Sequence, residues 1–173
     1  MTYLKSLLWL SALGTTTKNF IETMTLEIGN KAPTFKALDQ NGKERTLEEF
    51  AGKKLVVYFY PKDNTPGCTA ESCDLRDNYA RFQSQGYEIL GVSKDSAKSH
   101  HKFIDKYNLP FDLLVDEDLE VCNAFGVWGM KKFMGREFMG IIRTTFIIDE
   151  KGMLEDIITK VKTKEHTAQI LKD

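Results

Sequence analysis

Cys68 is the residue of this chain best placed to act as a nucleophile, because it closes a Pro/Gly-rich turn and opens a helix-compatible run. It sits in the stretch Phe59-Tyr-Pro-Lys-Asp-Asn-Thr-Pro-Gly-Cys-Thr-Ala-Glu-Ser-Cys-Asp74. Backbone N–H groups at the start of a helix have no partner within it, and the peptide dipoles add a partial positive charge there. Both favour a thiolate over a thiol, and the thiolate is the attacking form of cysteine. The alternative for any free cysteine is burial as a small apolar side chain. A Pro/Gly turn at a helix start is a poor place for that. Cys73, five residues further on, has several readings. It could be a passive helical residue, half of a structural disulfide, or a second thiol that attacks the oxidised first. A zinc pair is disfavoured, since C-x-x-x-x-C lacks a second ligand pair and no histidine is conveniently placed. The C-x-x-C spacing of dithiol reductases is absent.

Holding Cys68 in position requires a strand before it and a helix after it. Leu55-Val-Val-Tyr-Phe-Tyr60 is a compact run of β-branched and aromatic residues, suited to a buried central strand. Pro61, Pro66 and Gly67 forbid its continuation as strand or helix and make a tight loop. From Thr69 to about Gln83 the chain is helix-compatible, with Leu75, Tyr79 and Phe82 at its apolar or aromatic positions.

Thr65 lies three residues before Cys68 and Pro61 four before Thr65, giving P-x-x-x-T-x-x-C at a strand-to-helix junction. A threonine hydroxyl can donate to one oxygen and accept from another, which suits a substrate whose O–O bond lies beside the sulfur. Pro66, without an N–H and with fixed φ, would stiffen the loop and shield one side of the thiol. Here the sequence resembles the peroxiredoxins of the AhpC/TSA kind. The continuation C-T-x-E-x-x-C (Cys68, Thr69, Glu71, Cys73) is similar to their bacterioferritin comigratory, or Q-type, group. The resemblance runs from about Met24 to the C-terminus and includes Gly126-Val-Trp-Gly129 and Arg143-Thr-Thr-Phe-Ile-Ile-Asp149.

The alternation of strands and helices along the chain argues an α/β three-layer fold with a central mixed sheet, and the resemblance sharpens that to a thioredoxin-like fold. The resemblance also implies a thiol-specific peroxidase for hydrogen peroxide and organic hydroperoxides, serving redox homeostasis and oxidative-stress defence. In that scheme Cys68 attacks the peroxide and Cys73 resolves the sulfenic acid as an intramolecular disulfide. Thioredoxin or a similar dithiol protein then reduces it. Thr65 and Arg143 stand with the cysteines as catalytic residues, and Pro61, Gly67 and Glu71 support them. An arginine at a strand end, as Arg143 is, would be ordinary on its own. The family places it against the reactive sulfur, where its guanidinium fork can hold the thiolate and polarise the peroxide. Glu71 would orient that arginine; its bland reading is a carboxylate favoured by a helix N-terminus. No metal, haem or flavin motif is seen, so no cofactor is expected, and the family implies a monomer. Two other functions use the same thiols: a redox-sensing or holdase protein, and a protein thiol–disulfide oxidoreductase. Thr65 and Arg143 argue against the sensor, which needs a reactive thiol but less obviously a peroxide-shaped pocket.

A chain of 173 residues with 42% hydrophobic content should form one globular domain. A formal charge of −1 gives no reason to propose nucleic acid or an anionic membrane as partner. Three cysteines are too few for a disulfide scaffold and fit reactive thiols in a reducing, cytoplasmic setting. Residues 1–23 are read as an N-terminal extension, disordered or an over-extended start, with the domain spanning 24–173. The apolar run Leu7-Leu-Trp-Leu10 leaves a weak export signal as the alternative, and it is far short of the ~20 residues that span a bilayer.

Along the chain, Gln40-Asn-Gly-Lys43 marks a hairpin, and Thr46 with Glu49 forms a capping box for a short helical turn. Tyr87–Val92 and Leu113–Val115 read as strands, and Asp95 or Ser96 caps a helix reaching about Tyr107. Thr144–Ile148 and Met153–Ile158 flank a second hairpin turn at Asp149–Gly152, and a last helix starts near Thr163 or Lys164. Cys122, with Leu119 and Phe125, falls on a core stripe. His100, His101 and His166 are read as solvated. Trp128, Met130, Phe133 and Met134 are assigned to a Gly-punctuated loop, as packing residues or, alternatively, as part of an active-site rim.

Overall fold

The computed structural model describes residues 25–172, so the expected extension at 1–23 and the boundary at Met24 lie outside the described residues. Nine strands and five helices are described: β1 (Lys36–Asp39), β2 (Glu44–Thr46), β3 (Lys54–Phe59), α1 (Pro66–Asp77), α2 (Tyr79–Ser84), β4 (Tyr87–Ser93), α3 (Ala97–Tyr107), β5 (Asp112–Val115), α4 (Glu120–Ala124), β6 (Trp128–Phe133), β7 (Arg136–Ile141), β8 (Thr144–Ile148), β9 (Leu154–Ile158) and α5 (His166–Leu171). Seven strands make one sheet in the order β2-β1-β5-β4-β3-β8-β9, and β6 pairs with β7 alone. The sheet is mixed: β3, β4 and β5 run parallel, while β8 runs antiparallel to β3.

β3 divides the core. Its side chains alternate between the two faces of the sheet, as the pleat requires. Leu55, Val57 and Phe59 pack into one cluster with Phe50, Cys122, Phe125 and Phe146. Val56, Tyr58 and Tyr60 pack into the other with Cys68, Leu75, Phe82, Phe103 and Ile170. The first cluster carries α4 and the second carries α1, α2, α3 and α5, which gives the three layers expected from the sequence. Every residue of β3 from Leu55 to Phe59 is fully buried, so its near-continuous apolar composition is that of a strand covered on both faces.

Some local expectations need correction. The helix expected over residues 69–83 is two helices, broken at Asn78, whose ψ of 10° interrupts the regular turn. Thr46 makes no side-chain cap bond to the following 3-10 turn. Glu49 instead takes the Arg45 Nε–H at 2.9 Å, a charge-assisted bond that outcompetes a neutral cap. The Gly-punctuated stretch holding Trp128, Met130, Phe133 and Met134 is the β6–β7 hairpin with its turn. Met130, Phe133 and Met134 are not packing residues there, being 61%, 66% and 86% exposed. The last helix begins at His166, slightly later than expected. The Ser96 cap is present, its Oγ accepting from Ser99 N–H at 3.3 Å. Among the described residues, no helix is long and apolar enough to cross a membrane.

Candidate active site

Cys68 is the third residue of α1, directly after Pro66 and Gly67. Proline at the first helical position is pre-set for a helix and lacks an N–H that would have gone unpaired there anyway. The loop before it is held from below by buried polar contacts. Asp63 accepts from the Tyr60 hydroxyl at 2.6 Å and the Ser99 hydroxyl at 2.8 Å. His100 Nδ1 lies 2.8 Å from the same carboxylate, and its Nε2 lies 2.9 Å from the carbonyl oxygen of Leu114. A carbonyl can only accept, so Nε2 carries a proton. His100 is fully buried, contrary to the solvated reading, because it ties the active-site loop to α3 and β5.

Arg143 reaches Cys68 through sheet register. β3 and β8 pair antiparallel with Phe59 opposite Thr144, so the residue before β8 arrives where β3 hands over to the cysteine loop. Arg143 Nη2 donates to Cys68 Sγ at 3.2 Å, across 75 residues of sequence. Its Nη1 donates to Glu71 Oε2, on the next turn of α1. Gly67 makes this approach possible: a Cβ on it would sit 3.3 Å from Arg143 Nη2. Cys68 has no exposed surface and packs with the helix-side core.

Glu71 is fully buried, and burial pushes its carboxyl up to about 7 against the opposing pull of the Arg143 guanidinium. Burial lowers the tendency of Arg143 to stay charged, but Glu71 and the Cys68 sulfur outweigh it and raise its pKa. Lys131, on β6, donates to the Ile141 carbonyl at 2.9 Å. Its ammonium is lowered by burial first and then by Arg143, while Cys68 opposes the change.

The other expected site residues fall as follows. Thr65 precedes α1, and its hydroxyl donates to the Lys62 carbonyl at 2.8 Å while its lone pairs stay open. Pro61 is half-buried just beyond β3, and Pro66 is exposed at the first position of α1. Cys73 lies on the same continuous helix as Cys68 and is unpaired; burial raises its pKa. Cys122 is fully buried in the opposite cluster, where burial and the Asp116 carboxylate push its thiol up strongly.

Sequence reasoning missed the partners behind Glu71. His166 is fully buried, not solvated; its Nε2 lies 2.8 Å from Thr145 Oγ1 and 3.6 Å from Glu71 Oε1. Beside it, Thr167 N–H donates to Asp74 Oδ2 at 2.6 Å, fastening α5 to α1. The only signal for this in the sequence is the helical i, i+3 spacing of His166 and Gln169.

Fold and site together define a thiol-based redox protein of thioredoxin-like architecture: a cysteine on the first turn of a helix, beyond a central strand, with an arginine on its sulfur. The AhpC/TSA family model matches residues 28–157. The peroxiredoxin Bcp of Bacillus subtilis is 49% identical over 149 residues, covering 86% of this chain and 95% of that protein. Among solved structures, a PrxQ variant from Xylella fastidiosa superposes with a TM-score of 0.80 at 32% identity, over 86% of this chain and 94% of that one. The bacterioferritin comigratory protein of Xanthomonas campestris gives a TM-score of 0.75 at 39% identity, over 80% and 88%. The chain therefore belongs to the AhpC/TSA family, within its bacterioferritin comigratory, Q-type peroxiredoxins, and is a thiol peroxidase.

Proposed function

We propose that the chain reduces hydrogen peroxide and organic hydroperoxides with Cys68 as the peroxidatic thiolate and Cys73 as its resolving partner. The observation that carries the assignment is the bidentate Arg143, with one nitrogen on Cys68 Sγ and the other on Glu71. Cys68 thiolate attacks the terminal peroxide oxygen, the O–O bond breaks, and the sulfur is oxidised to sulfenic acid. The departing alkoxide or hydroxide takes a proton from solvent and leaves as alcohol or water. Arg143 and the N–H groups near Gly67 and Cys68 offset the negative charge that moves along the O–O axis. Thr65 contributes by exchanging its Lys62 carbonyl for a peroxide oxygen. The Cys73 thiol then condenses with the sulfenic acid, releasing water and leaving an intramolecular disulfide. A dithiol protein such as thioredoxin reduces it, becoming oxidised in turn. Organic hydroperoxides are included because the X. campestris relative was studied for its alkyl peroxide reduction activity. A monomeric, cytoplasmic protein is the reading carried over from the family and the sparse cysteines.

Stopped-flow mixing of reduced protein with hydrogen peroxide, following thiol loss, tests this directly. Wild type should react far faster than a free thiol and Cys68→Ser not at all, because a serine hydroxyl is no nucleophile at its own pKa. A wild-type rate matching a free thiol would remove Cys68 from the chemistry.

A further inference from the structure

Behind the arginine lies a second buried contact that the peroxide scheme does not use. Glu71 Oε2 is taken by Arg143, but Glu71 Oε1 is fully buried and has no hydrogen-bond partner. It points at His166 Nε2, 3.6 Å away, too far for a hydrogen bond and near enough for a small carboxyl rotation to close. The histidine tautomer is set from its other side. Gln169 donates its Nε2–H to the Lys160 carbonyl and accepts the Lys162 N–H on Oε1, which fixes that amide. His166 Nδ1 lies 2.9 Å from the same Oε1, so Nδ1 must donate. Neutral His166 therefore has one Nε2 lone pair, for which the Thr145 O–H at 2.8 Å and a proton on Glu71 Oε1 at 3.6 Å compete. Two lone pairs so buried repel unless a proton lies between them.

We propose that His166 is a positioning residue for the peroxide reaction: its Nε2 holds a proton on Glu71 Oε1 and thereby sets how Arg143 divides its charge between Glu71 and the Cys68 sulfur. With the proton in place Glu71 is a neutral acid, and the guanidinium charge serves the thiolate. Without it, a carboxylate competes for that charge. The groups facing the pair are Arg143 ahead of β8, Thr145 on β8, Tyr58 on β3, Gln169 on α5 and Asp74 on α1. Burial acts on both members in the same sense, raising the Glu71 pKa and lowering that of His166, so the shared proton rests on Glu71.

This inference rests on the peroxidase reading, and the test separates the two. The rate of thiol loss with hydrogen peroxide is measured from pH 5 to 9 for the full chain and for His166→Gln, which carries no titrating nitrogen. Wild type should show an ionisation near neutrality that belongs to the Glu71–His166 pair. In His166→Gln it should vanish or move by about half a pH unit or more. A wild type no faster than a free thiol ends the peroxidase reading itself. A fast wild type with the same profile in a folded His166→Gln overturns only the role of His166. If His166→Gln does not fold, the ring 15N shifts of His166 in the intact protein decide. They should follow the Glu71 ionisation and shift on Glu71→Gln; indifference to that substitution overturns the proposal.

Discussion

Two residues at the cysteine do work that their types conceal. Gly67 has a helical backbone that any residue could adopt, so its value is the space it leaves for Arg143. Gly67→Ala should therefore raise the melting temperature slightly, a helical Gly→Ala being worth up to ~1 kcal/mol. The peroxide rate should fall on the order of tenfold, part of the ~10²–10³ that losing a charge-stabilising donor costs. An unchanged rate would mean that Arg143 has slack at this point. Glu71 has a folded-state pKa of about 7 against an ordinary value of 4.5. In the raised direction an acid contributes most below its unfolded value, and that contribution is lost as pH climbs through the folded one. Wild type should thus lose stability between about pH 4.5 and 7, and Glu71→Gln, which cannot ionise, should not. Between pH 5 and 8 the variant should gain on wild type by roughly 2 kcal/mol in urea unfolding. A constant difference across that range would show that Glu71 does not titrate there.

At the scale of elements, α1 must be both scaffold and moving part. Cys68 and Cys73 share one uninterrupted helix. Five residues of helix separate their Cα atoms by about 8–9 Å, beyond the roughly 7 Å a disulfide tolerates. The first turns must therefore open for Cys73 to reach the sulfenic acid. The structure holds them lightly: Thr69 Oγ1 and Glu71 Oε1 are its buried, unpartnered side-chain polar atoms among the described residues, and both lie between the cysteines. Against this, the Tyr58 hydroxyl bonds Ser72 at 3.0 Å and Thr167 fastens Asp74 from α5. Oxidation should raise amide exchange from about Thr69 to Asp77 while β3 stays protected. Cys73→Ser should react once with peroxide and then stall at sulfenic acid or over-oxidise, as thiol counting and intact mass would show. Wild-type turnover in Cys73→Ser, with exchange unchanged on oxidation, would pass the resolving role to another thiol.

For the whole molecule, a protein beginning at Met24 is expected to match the full chain in melting temperature and peroxide rate. A marked loss of either would make residues 1–23 part of the fold. The sequence alone determined the strand around Leu55–Phe59, the turn after it and the helix that carries Cys68, because β-branched runs, proline and glycine act on the backbone within a few residues of themselves. It likewise marked the β1–β2 and β8–β9 turns and the Ser96 cap, but not the β6–β7 hairpin. Peroxidase chemistry was legible through several separated motifs and the family they resemble, which also implied Arg143 against the sulfur. Composition and spacing alone did not show that contact. Arg143 reaches Cys68 because β8 pairs antiparallel with β3 in a register that sets Thr144 beside Phe59. His100 and His166 looked like surface residues because, Gln169 apart, the partners that bury them are distant in sequence. Asp63 and Leu114 bury the first and Glu71 and Gln169 the second, at separations of 37, 14, 95 and 3 residues. Local composition sets an element's type, but a buried polar side chain is stable only against a partner that folding brings to it, and that pairing was decided by the tertiary structure.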